Sequence, residues 1–76
     1  MSIEVLPPCV ASLSQWYFDD GDRVTKGDHI ADVESMKTIF PIDAPATGVL
    51  RYKADLGDIV GEDDPLALIE GDPGNG

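Results

Sequence analysis

The sequence predicts an all-β fold: a flattened eight-strand antiparallel barrel or sandwich made of two four-strand halves related by a pseudo-twofold axis. Three observations support this prediction. The chain repeats itself once, its apolar residues recur at a spacing nearer to two than to about 3.6, and Gly or Pro interrupts it every few residues, which leaves no window that favours a helix. A chain of 76 residues has room for one domain with one thin core.

The internal repeat is the strongest of these signals. Residues 21–34 align without a gap with residues 57–70, at an offset of 36 positions. Six pairs are identical: Gly21/Gly57, Asp22/Asp58, Val24/Val60, Asp28/Asp64, Ala31/Ala67 and Glu34/Glu70. At the same offset further upstream, the aligned pairs are Trp16 with Tyr52, Leu13 with Val49 and Leu6 with Ile42. Two such units can bury together a core that neither could bury alone.

The first half contains four predicted strands. Residues 3–6 form the first, the aromatic-rich segment 12–18 the second, and Val24 begins a brief third, while residues 30–34 have the pattern of a half-buried fourth. Turns separate them at residues 19–22 and 26–28, where Gly can adopt positive φ and Asp side chains can bond nearby amides.

The second half repeats this order, with predicted strands at residues 39–42, 49–53, 59–60 and 66–69 and turns at 55–58 and 61–64. The last residues are rich in Gly, with one Pro and one Asn among them. We therefore expect a domain over residues 1–71 and a flexible C-terminal tail over residues 72–76.

The charge of the chain limits its partners. Fifteen acidic residues against five basic ones give a net charge of −10, which disfavours binding to phosphate backbones, anionic membranes and other copies of the chain. No apolar run approaches the ~20 residues that span a bilayer, and the first residues lack the basic and apolar regions of a signal peptide. We expect a soluble cytoplasmic protein that is a monomer in isolation, with no nucleic-acid or membrane partner.

Side chains suited to catalysis or metal binding are few. Cys9 is the only cysteine, which excludes an intrachain disulfide, and we interpret it as a small buried or half-buried residue and not as a nucleophile. His29, the only histidine, adjoins Asp28 in a predicted turn, a pair that is common by chance. The acidic clusters at residues 19–22 and 62–64 lack the spacing of a calcium-binding loop and are typical of turns. We predict no catalytic residue and no metal site.

The segment between the two halves is the best candidate for a functional site. A predicted strand ends at Glu34 and another begins near Ile39, so the few residues between them form a hairpin turn. Lys37 would project from its tip into water, where a modifying enzyme can reach the amine. Acylation would remove its charge and add a long arm. From the residues alone, an ordinary exposed lysine on a turn is the favoured interpretation, because such lysines are common.

The chain resembles the biotinyl/lipoyl attachment domain family from about residue 3 to residue 70. The residues that carry the resemblance are Gly21-Asp22, Val24, Gly27-Asp28, Ala31, Glu34-Ser35-Met36-Lys37, Ala44-Pro45, Thr47-Gly48-Val49, Gly57-Asp58, Val60 and Leu66. The resemblance implies a barrel-sandwich hybrid fold with the modified lysine, here Lys37, on a hairpin tip. It also implies that Glu34 and Gly21, with the flanking Ser35, Met36 and Thr38, take part in recognition by the modifying ligase.

The flanks of Lys37 leave two cofactors open. Biotinyl domains typically have Met on both sides of the lysine, and this chain has Met36 before it but Thr38 after it. Lipoyl domains typically have Asp before and Ala after, and neither flank of Lys37 agrees, although Trp16 and residues 41–49 are lipoyl-like. We favour biotin on Lys37, attached by a biotin protein ligase, with biotin carboxylase and carboxyltransferase components as partners. The alternatives are lipoate, attached by a lipoate ligase in a 2-oxoacid dehydrogenase or glycine cleavage system, and an unmodified adaptor module like those of efflux proteins.

Overall fold

Eight short strands form the fold in the computed structural model, which describes residues 2–71. They are β1 (Ser2–Val5), β2 (Ala11–Trp16), β3 (Arg23–Val24), β4 (His29–Ser35), β5 (Thr38–Asp43), β6 (Gly48–Tyr52), β7 (Ile59–Val60) and β8 (Ala67–Glu70). No helix occurs among these residues, and therefore none that could cross a membrane. The all-β prediction is confirmed, with strand ends that differ by one or two residues from those expected. The tail at residues 72–76 lies outside the described residues.

The strands form two antiparallel four-stranded sheets, with the orders β1-β8-β6-β3 and β5-β4-β2-β7. We call them the terminal sheet and the tip sheet. Exchanging the two halves of the chain converts one order into the other, because β1 becomes β5, β8 becomes β4, β6 becomes β2 and β3 becomes β7. The pseudo-twofold relation predicted from the repeat is therefore present. Each sheet takes two strands from each half.

A β-bulge changes the repeat offset in the upstream part of the chain. The pairing of β2 with β4 shifts between Leu13 and Gln15, which leaves Ser14 as an extra residue in the first half. Before the bulge the equivalent residues are therefore 37 positions apart, not 36. The expected alignments of Leu6 with Ile42 and of Leu13 with Val49 are wrong by one residue.

The strand register shows which residues replace them. Val5 pairs with Ala67 as Ile42 pairs with Ala31, so Val5 is the equivalent of Ile42. By the same criterion Leu13 is the equivalent of Leu50, because they pair with Val33 and Ile69 respectively. Both corrected pairs are buried, whereas Leu6 is 43% exposed.

The core lies between the two sheets and consists of small and branched apolar side chains. Its largest fully buried members are Leu13, Ile30, Leu50, Leu66, Ile69, Val24 and Val33. Trp16 and Tyr52, which the repeat makes equivalent, stack on each other with ring centroids 4.1 Å apart and planes 11° apart. Two residues related by a twofold axis can contact each other only where they lie beside that axis. The pseudo-twofold axis therefore passes between these rings.

Two equivalent turns lead from the long strands to the short edge strands. Gly21 and Gly57 have φ of 94° and 93°, the left-handed region that favours glycine. In the first turn the Asp22 carboxylate accepts a hydrogen bond of 2.9 Å from the Asp19 amide, and Asp58 does the same for Asp55 at 3.0 Å. The turns predicted at residues 19–22 and 55–58 are therefore present, with the aspartate-to-amide bonds expected of them.

Candidate functional site

The hairpin between β4 and β5 forms the tip of its sheet. Glu34 pairs with Ile39 and Ser35 pairs with Thr38, so the pairing continues up to a loop of only two residues, Met36 and Lys37. The first and last strands, β1 and β8, lie on the other sheet, where Ser2 pairs with Glu70. The five residues predicted around the attachment point thus lie together on a single hairpin.

Both loop residues are held in the left-handed backbone region, with φ of 51° for Met36 and 64° for Lys37. Two consecutive residues with positive φ are the requirement of a type I′ turn, which usually takes Asn-Gly because a Cβ makes this conformation unfavourable. Met36 has no packing role to compensate, since its side chain is 94% exposed. Strained residues that the surrounding structure holds in place are typical of functional sites, and here the pairing of β4 with β5 holds them.

The two charged side chains nearest the tip of the hairpin, Lys37 and Glu34, are exposed. Within residues 2–71 neither the Lys37 amine nor the Glu34 carboxylate takes part in a side-chain hydrogen bond or an ion pair. Apart from Lys37 in the loop, the strands of the tip sheet contain no Lys or Arg. The amine is therefore available for reaction. Its acylation would not leave a carboxylate of these residues without an ion-pair partner.

Comparison with known proteins shows the family of this chain. The sequence profile of the Biotin_lipoyl family, described as "Biotin-requiring enzyme", matches residues 4–69. The chain belongs to the biotin/lipoyl attachment family. A Mycobacterium leprae protein described as the biotinylated protein TB7.3 homolog is 31% identical over 70 residues, which cover 91% of this chain and 99% of that protein.

Solved structures with this fold include a lipoyl domain and part of a carboxylase. The lipoyl domain of the Azotobacter vinelandii 2-oxoglutarate dehydrogenase complex superposes with a TM-score of 0.69 at 26% identity, over 95% of this chain and 99% of that one. The Kluyveromyces lactis urea carboxylase contains a region of the same fold, with a TM-score of 0.81 at 24% identity, over 92% of this chain and 6% of that one. Sequence similarity thus extends to a protein described as biotinylated and to a lipoyl domain.

Gly21 lies apart from the hairpin of this attachment domain. Its amide donates a hydrogen bond of 2.7 Å to the carbonyl of Leu50, on a central strand of the terminal sheet. A Cβ added to Gly21 would lie 3.7 Å from Nη1 of Arg51. The turn requires a positive φ, and this alone is enough to explain a glycine at position 21. A role of Gly21 in recognition by the ligase stays a prediction.

His29 belongs to a surface cluster that the sequence did not indicate. It is the first residue of β4 and not part of the preceding turn, and its Nε2 lies 2.6 Å from Oδ1 of Asp32. The Tyr17 hydroxyl donates a 2.5 Å hydrogen bond to the other oxygen of Asp32, and the Tyr17 and His29 rings lie 4.4 Å apart. The bond from Tyr17, helped by His29, lowers the pKa of the Asp32 carboxyl, and the same bond raises the pKa of Tyr17. His29 is thus held by this cluster, and Cys9 is half-buried in the loop after β1.

The strain at the tip was not predicted from the sequence. Met-Lys is not a pair that suggests a type I′ turn, because neither residue favours positive φ. The signal that could have revealed it is the length of the loop, since two strands joined by two residues almost require a turn with positive φ. The predicted strands end at Glu34 and start near Ile39, so the predicted loop has four residues. A loop of that length does not require positive φ.

Proposed function

We propose that this chain is a non-catalytic carrier that presents biotin, covalently attached to Lys37, for carboxyl transfer between the active sites of a carboxylase. The observation that carries the proposal is the two-residue tip, where an exposed lysine without a side-chain partner among residues 2–71 is held in a strained conformation. Biotin is favoured by Met36 before the lysine and by similarity to a Mycobacterium leprae protein described as biotinylated.

The chemistry required of the chain is limited to one amide bond. The Lys37 amine attacks the activated carboxyl group of biotin, the bond to the activating phosphate breaks, and the amine loses a proton. A biotin protein ligase would supply the activated biotin. The bound group would then carry the carboxyl chemistry, while the domain holds the arm away from its own surface. Biotin carboxylase and carboxyltransferase components are the partners that this role implies.

Mass spectrometry after reaction with a ligase tests the proposal. Incubation with a biotin protein ligase, biotin and ATP should add one biotinyl group to the intact chain. The peptide that contains Lys37 should carry it, and Lys37→Ala should abolish the increase. Lys53→Ala, which removes another exposed lysine, is the matched control and should be modified like the wild type. A wild-type chain that stays unmodified by an active ligase would contradict the biotin proposal.

Lipoate is the second candidate. Thr38 departs from the biotinyl pattern, and the fold and sequence are also similar to a lipoyl domain. The arm would then carry acyl or aminomethyl groups in a 2-oxoacid dehydrogenase or glycine cleavage system. A lipoate ligase tested in parallel separates the two, because the preferred cofactor should be attached at a higher kcat/KM.

A further inference from the structure

One row of residues crosses the outer face of the tip sheet just below the hairpin loop. Ile39 pairs with Glu34, Glu34 with Ser12, and Ser12 with Ile59, so these four side chains point to the same side of the sheet. At about 4.8 Å between strands, this outer row is roughly 14 Å long. Its two ends are apolar and in water, since Ile39 is 50% and Ile59 67% exposed.

The internal repeat supplies a comparison within the same molecule. The equivalent row of the terminal sheet consists of Ser2, Glu70, Val49 and Arg23. Its ends are polar where the outer row has isoleucines. Its central carboxylate, Glu70, is paired with Nε of Arg51 at 3.0 Å, whereas Glu34 has no side-chain partner within residues 2–71. The fold therefore does not require exposed isoleucines at these positions, and they distinguish the sheet that carries the lysine.

The length of the lysine side chain decides which partner must touch this row. Before modification Lys37 reaches its reaction partner only through its own four-carbon stem. A ligase must therefore bring its surface against the tip and the adjacent rows of side chains. After modification the attached arm adds further reach, so that later enzymes are free to bind the domain elsewhere.

We propose that the outer row is the docking surface for the ligase that modifies Lys37. Ile39 and Ile59 would enter apolar depressions on either side of a cationic group that pairs with Glu34. A cation is required because a carboxylate covered without a partner would oppose binding. This inference rests on the carrier function proposed above and extends recognition beyond Glu34 to both edges of the sheet.

Single substitutions at the ends of the row test the proposal. Ile39→Thr and Ile59→Thr keep a β-branched side chain and remove the apolar contact. With whichever of the two ligases modifies the wild type, each should lower kcat/KM about tenfold, mainly through KM. Ile3→Thr removes an isoleucine that is 43% exposed on the terminal sheet and should react like the wild type. Thermal unfolding of every variant checks that it is folded.

Competition provides a measurement that does not depend on modification. The Lys37→Ala chain should inhibit modification of the wild type, and adding Ile59→Thr to it should weaken that inhibition about tenfold. Unchanged KM in both isoleucine variants, or equal inhibition by the two competitors, would overturn the proposed docking surface while leaving the carrier function intact. If neither ligase modifies the wild type, the carrier function itself fails.

Discussion

The two left-handed residues at the hairpin tip predict that stability can be raised at the expense of modification. We expect the double substitution Met36→Asn and Lys37→Gly, which installs the preferred residues of a type I′ turn, to increase the free energy of unfolding. The same change removes the amine, so the variant should be stable and unmodifiable.

The size of the gain follows from the backbone angles. A left-handed conformation costs a residue with a Cβ about 1–2 kcal/mol. Glycine at position 37 removes this cost but returns about 0.5–1 kcal/mol through the larger entropy of the unfolded chain. Asparagine at position 36 removes part of the cost, and no packing is lost because Met36 is 94% exposed. The net gain is about 1–2 kcal/mol, or roughly 4–16 °C in Tm for a domain of this size.

Thermal unfolding followed by circular dichroism or calorimetry measures this gain. The matched control is Met36→Ala with Lys37→Ala, which removes the same side chains but keeps both Cβ atoms and therefore most of the strain. We expect the control to unfold within a few degrees of the wild type. If the Asn-Gly variant were no more stable than the Ala-Ala variant, the tip would not be strained, and strain could no longer be used to identify the site.

Two further predictions concern the rest of the domain. Gly48→Ala would place a Cβ 2.2 Å from the Glu70 carbonyl oxygen, so β6 and β8 must separate, which should lower the free energy of unfolding by about 1–3 kcal/mol. The control is Gly61→Ala, because a Cβ at this position would meet nothing closer than 3.5 Å. Equal Tm values for the two variants would contradict this prediction. Asp32→Asn should lower Tm at neutral pH. Because the pKa of Asp32 is lowered in the folded state, the Tm difference between the variant and the wild type should persist above about pH 4 and shrink as the pH falls further. The same variant should lower the pKa of Tyr17, measured by absorbance titration, and a Tm difference that does not change with pH would rule out the proposed bonding of Asp32.

The fold was predictable because the repeat constrains topology directly. Once residues 21–34 and 57–70 are equivalent, the strands of one half specify those of the other, and two half-buried units must cover each other. The position of Lys37 follows from the same reasoning, since it lies in the only connection between the halves. Its availability as an unpaired amine is visible only once the neighbouring side chains are located.

Other features depend on interactions that the sequence does not encode locally. Ser14 carries no signal that marks it as the extra residue of a bulge, because serine is common in strands and turns alike. Leu6 and Val5 are both apolar, and only the pairing with β8 decides that Val5 faces the core. Ile39 and Ile59 follow the same pattern as buried strand residues, yet their register turns them outward. In each case hydrophobicity alone does not decide which of two neighbouring residues faces the core, because a shift of one residue in register reverses the face of every side chain in a strand.

The interleaving of the two halves has a consequence for how such a domain could originate. Because each sheet takes two strands from each half, two separate copies of a single half could form the same fold by association, as an intertwined homodimer. In that dimer the two positions related by the axis would both be chain ends. Joining the copies head to tail turns one of these positions into a continuous hairpin and leaves the other as the termini. If the domain arose in this way, Lys37 would lie in the segment that joins the two copies, where a hairpin replaced two chain ends.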